Sequence, residues 1–434
     1  MSYTLTPEQL DIISTATTLP PGSLLKVSAV AGASKTFTLI KVAEALSHSA
    51  QLYLAYNKAI AEEASSKFPH YVQCKTTHAL AHSMVIRNRL NLDGEQSPVA
   101  KPYIISTFTY REIKENIEYD DKVALVKHLE GFFLSGKTTT ADYFESKGIS
   151  TKSSTSILVE LYFNKMIAKK IPCTHSFYLK MYHILLSTGH IHYDKPFDLI
   201  MLDEAGDLNE VTLAIFLALP ATLKIMVGDP FQNIYSFNHT INGFKALEDV
   251  GVMKTLSQSF RCSTALADRI ETFCRRHLDE DFVFKGYDHP NNTIQSEAII
   301  SRTNSGLIKH MISLTSSGIK FNLTREAKFI FSDMLTLMNL KPGCKILDQS
   351  LKFIQKDVDA YFKNSNGKQT KHKSCLSYIN HLHGKEEPSI KVAAITILKY
   401  NASTIYDTYK YAKEAEKDTK VYPLTLTTAH SSKG

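Results

Sequence analysis

The chain passes from L-L-K-V-S-A-V (Leu24–Val30) directly into A-G-A-S-K-T-F-T-L-I-K-V-A-E-A-L (Ala31–Leu46), and no other stretch limits its folding choices as strongly. The first run is short and apolar and ends in small residues, which reads as a buried strand entering a turn. From Thr36 the apolar spacing becomes that of a helix. Q-L-Y-L-A-Y (Gln51–Tyr56) gives a second strand, and N-K-A-I-A-E-E-A (Asn57–Ala64) opens a second helix. Strands alternating with helices pack as a parallel sheet with crossover helices on its faces. The expected fold class is α/β.

Arg87 to Asp194 breaks the series with a stretch rich in Lys, Thr and Ser that holds several short helical patterns. Strand signals return at F-D-L-I-M-L-D-E-A (Phe197–Ala205) and L-K-I-M-V-G-D-P (Leu223–Pro230), so a helical insertion in one α/β domain accounts for the order. The pattern restarts near Leu256, with S-E-A-I-I-S-R-T-N (Ser296–Asn304) strand-like and helical material following to about Glu416. Within it K-N-S-N-G-K-Q-T-K-H-K-S (Lys363–Ser374) reads as a polar, basic surface loop. V-Y-P-L-T-L-T-T-A-H (Val421–His430) reads as one more strand, and no internal repeat is visible.

Composition removes several classes. No run of 18 or more uncharged apolar residues occurs, so no membrane span is expected. M-S-Y-T-L-T-P-E-Q lacks the basic segment and apolar core of a signal peptide, which points to the cytosol or a nucleus. Six cysteines (Cys74, Cys173, Cys262, Cys274, Cys344, Cys375) show no paired spacing. Cys262, Cys274 and His277 lack a fourth zinc ligand at fitting spacing, so reduced thiols are expected. The 50 Lys and Arg against 43 Asp and Glu leave a net charge of +7, compatible with nucleic acid without requiring it.

Three stretches carry chemistry. A-V-A-G-A-S-K-T (Ala29–Thr36) nearly matches the phosphate loop G-x-x-x-x-G-K-[ST], whose backbone N–H groups wrap phosphate oxygens. Lys35 and Thr36 are in place, while Ala29 and Ser34 replace glycines, and a chance turn of small residues is the plain alternative. L-I-M-L-D-E-A puts Asp203 and Glu204 at the end of an apolar strand. There a first acid can hold Mg²⁺ and a second can orient water, or both can cap the next helix. V-G-D-P-F-Q-N-I-Y-S-F (Val227–Phe237) sets Gln232 just past a strand end, where α/β sheets collect ligands. Tyr235 and Phe237 follow it, either as base-stacking rings or as core aromatics.

In this order the pieces resemble the UvrD-like superfamily 1 helicases, most closely their F-box DNA helicase branch. The resemblance adds L-T-P-E-Q (Leu5–Gln9), L-Y-L-A-Y-N-K-A-I-A (Leu52–Ala61) and C-K-T-T-H (Cys74–His78). It continues through L-D-E-A-G-D (Leu202–Asp207), L-S-Q-S-F-R (Leu256–Arg261), S-R-T-N (Ser301–Asn304) and T-T-A-H-S-S-K-G (Thr427–Gly434). It implies two RecA-like parallel-sheet P-loop domains, the second incomplete, each with a mainly helical insertion. The expected limits are 1–86 with 195–250 for the first domain and 87–194 for its insertion. For the second they are 251–330 with 421–434, and 331–420 for its insertion.

The resemblance also implies roles. Gln9 would read adenine, and Ala31, Gly32, Ala33, Ser34, Lys35 and Thr36 would cradle the phosphates of ATP. Thr36 would ligate Mg²⁺, with Asp203 in its outer shell, and Glu204 would activate water. Gln232 would sense the γ-phosphate, Arg261 would reach it from the second domain, and Phe260 would stack on the base. Asn57, Lys58, His78, Tyr235 and Phe237 would line a path for single-stranded DNA or the single-stranded tail of a duplex. Read as residues alone, Gln9 also suits a plain helix, Phe260 a core, and Asn57 and Lys58 a capped, solvated helix start.

Several positions depart from the family. Ser34 replaces the glycine before the lysine, Gly206 the glutamine of D-E-x-Q-D, Thr77 a phenylalanine, and Asn238 an arginine after Phe237. T-T-A-H-S-S-K-G is the first half of a motif that in the family continues and is followed by a second ATP-facing arginine. A separate polypeptide supplying those motifs is one expectation, and the lack of a leading domain fits a bacterial or viral member. The implied activity is an ATP-driven 3′-to-5′ translocase or helicase in replication, repair or recombination. The rival readings are a catalytically impaired helicase-like scaffold, half of a split helicase and, more distantly, a P-loop kinase.

Overall fold

The computed structural model describes residues 4–47, 50–87, 103–109, 112–232, 240–289, 296–341, 343–346, 355–363, 377–379, 388–418 and 422–432. It divides into two compact units, Met1–Pro290 and Asn291–Gly434. The first unit opens with α1 (Pro7–Thr18), β1 (Ser23–Ala29), α2 (Lys35–Ala45), β2 (Gln51–Ala55), α3 (Lys58–Lys67), β3 (Val72–Thr76) and α4 (Thr77–Ala81). The insertion follows as β4 (Ile104–Ile105), α5 (Tyr119–Leu134), α6 (Thr140–Ser146), α7 (Ser154–Ile167), β5 (Cys173–Thr174) and α8 (His175–Ser187). The strand series resumes with β6 (Phe197–Leu202), β7 (Leu208–Asn209), α9 (Glu210–Ala218), β8 (Ala221–Gly228), β9 (Thr240–Ile241), α10 (Gly243–Ala246), β10 (Val252–Leu256) and α11 (Thr264–His277).

Six of these strands form one sheet in the order β10-β1-β8-β6-β2-β3, and every pairing is parallel. The α/β class expected from the sequence is the class observed. The period-two alternation of the strands sorts side chains between two cores. Leu25, Val27, Tyr53, Leu199 and Met201 join one cluster with Ile12, Leu39 and Val42 of α1 and α2. Leu24, Leu52, Leu54, Ile200 and Leu202 join the other with Leu129, Phe132, Phe163 and Tyr182 of the insertion. The insertion helices thus share a core with one face of the sheet.

A boundary after residue 250 is expected from the resemblance. The first compact unit instead runs to Pro290, because β10 pairs with β1 from Leu25↔Val252 to Ala29↔Leu256 and makes the edge of the first sheet. In the second unit β11 (Glu297–Ser301) precedes α12 (Asn304–Ser316), β12 (Asn322–Leu323), α13 (Ala327–Ile330) and α14 (Ser332–Met338). Helices at Pro388–Tyr400 and Ala402–Ala415 lead to β13 (Leu424–Thr428), the central strand of a parallel sheet ordered β11-β13-β12. Leu426 of β13 shares one core with Phe331, Met334, Ile397 and Ile405. Among the described residues no helix is long and apolar enough to cross a membrane.

One buried charge ties the insertion together. Lys180 of α8 is fully buried and donates to the carbonyls of Ser135 (2.6 Å) and Lys137 (2.7 Å), just past the end of α5. Burial lowers its amine to about 7, opposed by Glu210, and the same burial lowers neighbouring His183 to about 4. A lysine depressed in the folded state binds fewer protons there than when unfolded, so stability rises with pH between about 7 and the unfolded value near 10.4. Between pH 7 and 9 the first unit should gain about 2 kcal/mol that Lys180→Met does not show. Chemical denaturation of both proteins at the two pH values measures it, and equal gains would exclude the effect.

Candidate functional site

The carboxyl ends of β10, β1, β8 and β6 lie side by side because those four strands are consecutive in the sheet. The loop after β1 is closed by Val30 N–H donating to the Leu256 carbonyl (3.0 Å) and Ala33 N–H donating to the Val30 carbonyl (3.1 Å). Gly32 has φ +77°, and a Cβ there would lie 2.5 Å from the Arg261 Cβ and 2.9 Å from Ser259 Oγ. Only glycine permits that approach.

Ser34 ends the loop at φ 57°, ψ 41°, a left-handed conformation that glycine adopts without cost and serine does not. The turn is therefore made with serine in it, at an energetic penalty. Ser34→Gly should stabilise the first unit by about 1 kcal/mol, net of the extra chain entropy of glycine. A higher denaturant midpoint at unchanged slope is the expected reading; an unchanged or lower midpoint would count against it.

Lys35, at the start of α2, meets Glu204 with Nζ 3.0 Å from Oε1, the two side chains 19% and 26% exposed. Glu204 also has positive φ (54°), so the loop after β6 holds a second strained residue, in contact with Lys35 at the end of the loop after β1. Asp203 is buried, and each of its oxygens accepts one hydrogen bond: Glu204 N–H donates to Oδ1 (2.8 Å) and the Tyr53 hydroxyl to Oδ2 (2.5 Å). Burial raises the Asp203 carboxyl above its ordinary value, with Lys35 pulling the other way. Burial likewise raises Asp229, whose carboxylate accepts from Phe231 N–H (2.9 Å) and Gln232 Nε2 (2.7 Å). Gln232 is thus held by the loop it sits on.

Glycines fasten the loop after β6 to the loop after β8. A Cβ on Gly206 would lie 2.1 Å from the Asp229 carbonyl oxygen, and one on Gly228 2.6 Å from Ala205 N. Ala205 N–H donates to the Val227 carbonyl (2.9 Å) across the same gap. The segment after β10 docks on the loop after β1 in turn. Ser259 Oγ donates to the Ala31 carbonyl (2.8 Å), and Phe260 N–H donates to the Gly32 carbonyl (2.9 Å). Phe260 and Arg261, expected from the second domain, accordingly belong to the first unit and stand beside Gly32. These backbone contacts carry them there.

Gln9 is buried and used twice: its Oε1 accepts from Thr6 N–H (2.9 Å) in a capping box, and its Nε2 donates to Thr38 Oγ1 (3.1 Å). It thereby braces α1 against α2. Asn57 caps α3 by accepting from Ile60 N–H (2.9 Å), and exposed Lys58 pairs with Glu62 at 3.4 Å. Their capping and solvating roles are met, while neither side chain is taken into the core.

His78 faces a cavity of about 420 Å³ beside the ends of β2 and β6, with Tyr56, Thr77, Asp203, Asn209 and Thr240 among the residues around it. Burial, helped by His175, lowers the His78 imidazole, so it faces the cavity uncharged at neutral pH. Tyr235 and Phe237 lie outside the described residues. Tyr53, Asp229 and Ser259 were not expected from the sequence. Tyr53 reads as one more apolar strand residue, and only its pairing next to Leu202 on β6 exposes its role.

The family model for the UvrD/REP helicase N-terminal domain matches residues 6–248. F-box DNA helicase 1 of Gallus gallus is 29% identical over 287 residues, covering 61% of this chain and 27% of that protein. F-box DNA helicase protein 1 of Schizosaccharomyces pombe is 27% identical over 357 residues, covering 72% and 39% respectively. The chain thus spans less than half the length of either relative, both from the branch that the motifs indicated. The Pyrococcus furiosus Hef helicase domain aligns over 96% of this chain and 70% of its own, with TM-score 0.26 and 10% identity, too slight a likeness to bear on the fold. The match over 6–248 takes in the loops after β1, β6 and β8, and with it the chain belongs to the UvrD/REP helicase family.

Proposed function

We propose that the first unit binds and hydrolyses ATP with Mg²⁺ and couples that cycle to movement along single-stranded DNA, as a 3′-to-5′ translocase or helicase. The observation that carries the reading is the meeting of Lys35 and Glu204 at 3.0 Å, with buried Asp203 next to them. A phosphate-seeking cation and a water-orienting acid converge from the ends of β1 and β6, the two strands that flank β8.

The donor set suits Mg²⁺. Thr36 and Asp203 offer hard oxygens, and no cluster of three or more His, Cys, Asp or Glu among the described residues would hold a metal alone. That is the pattern of an ion that arrives with nucleotide phosphates and keeps its waters. Bound there, the ion would neutralise charge on the β- and γ-phosphates. Lys35 would leave Glu204 for the phosphate, freeing Glu204 to accept a proton from water. Arg261, set beside Gly32, would add positive charge on the other side of the loop.

Coupling has a physical route in Asp203, which belongs both to this constellation and to the wall of the His78 cavity. The polar and aromatic cavity lining suits an unpaired base. The deciding measurement is ATP hydrolysis by the 434-residue chain with and without single-stranded DNA, beside Lys35→Ala. A rate that rises with DNA and is lost in the variant is expected. DNA binding with no hydrolysis would overturn this reading in favour of a catalytically impaired scaffold.

A further inference from the structure

We infer that Tyr53 is a positioning residue for the Mg²⁺-nucleotide site, acting through Asp203; this rests on the ATP-hydrolysing reading above. Tyr53 lies in the middle of β2 and is fully buried. Its hydroxyl is 2.5 Å from Asp203 Oδ2, while the Glu204 N–H holds Oδ1 at 2.8 Å. With one donor on each oxygen, the carboxylate can turn about neither its χ1 nor its χ2 without breaking a hydrogen bond. The ring is fixed as well, packed on Phe68 at 4.8 Å between centroids, and strand pairing sets Leu54 opposite Leu202 one residue before the acid.

The phenol can serve only as a donor to this carboxylate. A core position on a strand is filled most simply by an aliphatic residue, and a buried tyrosine needs a partner for its hydroxyl. Here the partner is the acid expected in the outer shell of Mg²⁺. Groups one bond behind a metal shell orient it, and their loss commonly weakens metal affinity by 10- to 100-fold.

The test is Tyr53→Phe, which keeps the ring on Phe68 and removes one oxygen. Binding of a fluorescent ADP is followed as Mg²⁺ is titrated, and repeated with EDTA. The Mg²⁺ concentration at half-maximal effect should rise by about tenfold, with metal-free binding and the melting temperature nearly unchanged. In an Asp203→Asn background the same substitution should add nothing, since the two act as one unit. An unchanged Mg²⁺ midpoint in Tyr53→Phe, or an equal loss of metal-free binding, would leave Tyr53 a packing residue only and overturn the inference. Wild-type protein that binds no nucleotide with or without Mg²⁺ would instead remove the ATP reading, and this inference with it.

Discussion

Gly206→Gln, which restores the residue of the family motif D-E-x-Q-D, is expected to damage this protein. The substitution looks corrective on paper, since glutamine there would add a polar link near the nucleotide. In the fold, Gly206 and Gly228 face each other across the gap between the loops after β6 and β8. A Cβ on Gly206 would stand 2.1 Å from the Asp229 carbonyl oxygen, with the Asp229 carbonyl carbon at 2.9 Å and Pro230 Cα at 3.5 Å. All three are backbone atoms, so no side chain can turn aside to make room. The loops must separate, pulling on the hydrogen bond from Ala205 to Val227 and on the loop that holds Asp229 and Gln232. The expected cost is about 3 kcal/mol, the upper part of the range for overpacked sites, together with loss of the proposed DNA-stimulated hydrolysis. Thermal melting and ATPase assays of the variant beside Gly206→Ala measure both. Since Cβ alone makes the clash, alanine should be nearly as harmful. A Gly206→Gln protein as stable as the parent and better stimulated by DNA would show that the loops yield.

This contrast marks what the sequence could tell. Period and punctuation made the parallel α/β class legible, because Leu24–Val30, Gln51–Tyr56 and Phe197–Leu202 are apolar runs followed by turns and helices. The loop after β1 and the acid pair after β6 stood out in the sequence because phosphate and Mg²⁺ chemistry asks for those residue types at that spacing, and the fold brings Lys35 and Glu204 together. The partners of those residues were not. Asp203 lies 150 residues from the tyrosine that holds it, and Ser259 lies 228 residues from the Ala31 carbonyl it binds. No local pattern encodes such a contact; it follows from strand order and register. The extension of the first compact unit past residue 250 was hidden for the same reason. β10 comes after a break in the motif series, yet its backbone N–H and C=O groups complete the edge next to β1. Gly206 shows the reverse case, where a departure from a motif reads as a lost interaction until its neighbours are known.

Glu204→Gln should separate the two halves of the proposed cycle. In the structure Lys35 is already engaged, its Nζ 3.0 Å from Glu204 Oε1. A phosphate must displace that carboxylate before the lysine can bind it, so part of the lysine's attraction is spent on the resting pair. The pair is partly exposed, and screening limits its value to about 1 kcal/mol. Glutamine keeps the shape of the side chain and removes its charge, so nucleotide should bind about fivefold more tightly. Hydrolysis should nevertheless fall by at least about 100-fold, the usual loss when a general base is removed. Lys35→Ala should behave oppositely at the binding step, weakening nucleotide affinity while also abolishing turnover. Equilibrium binding of a fluorescent nucleotide, run beside single-turnover hydrolysis for all three proteins, distinguishes these outcomes. Should Glu204→Gln weaken binding as Lys35→Ala does, the acid would be supporting the lysine, and the water-activating role would have to pass to another residue.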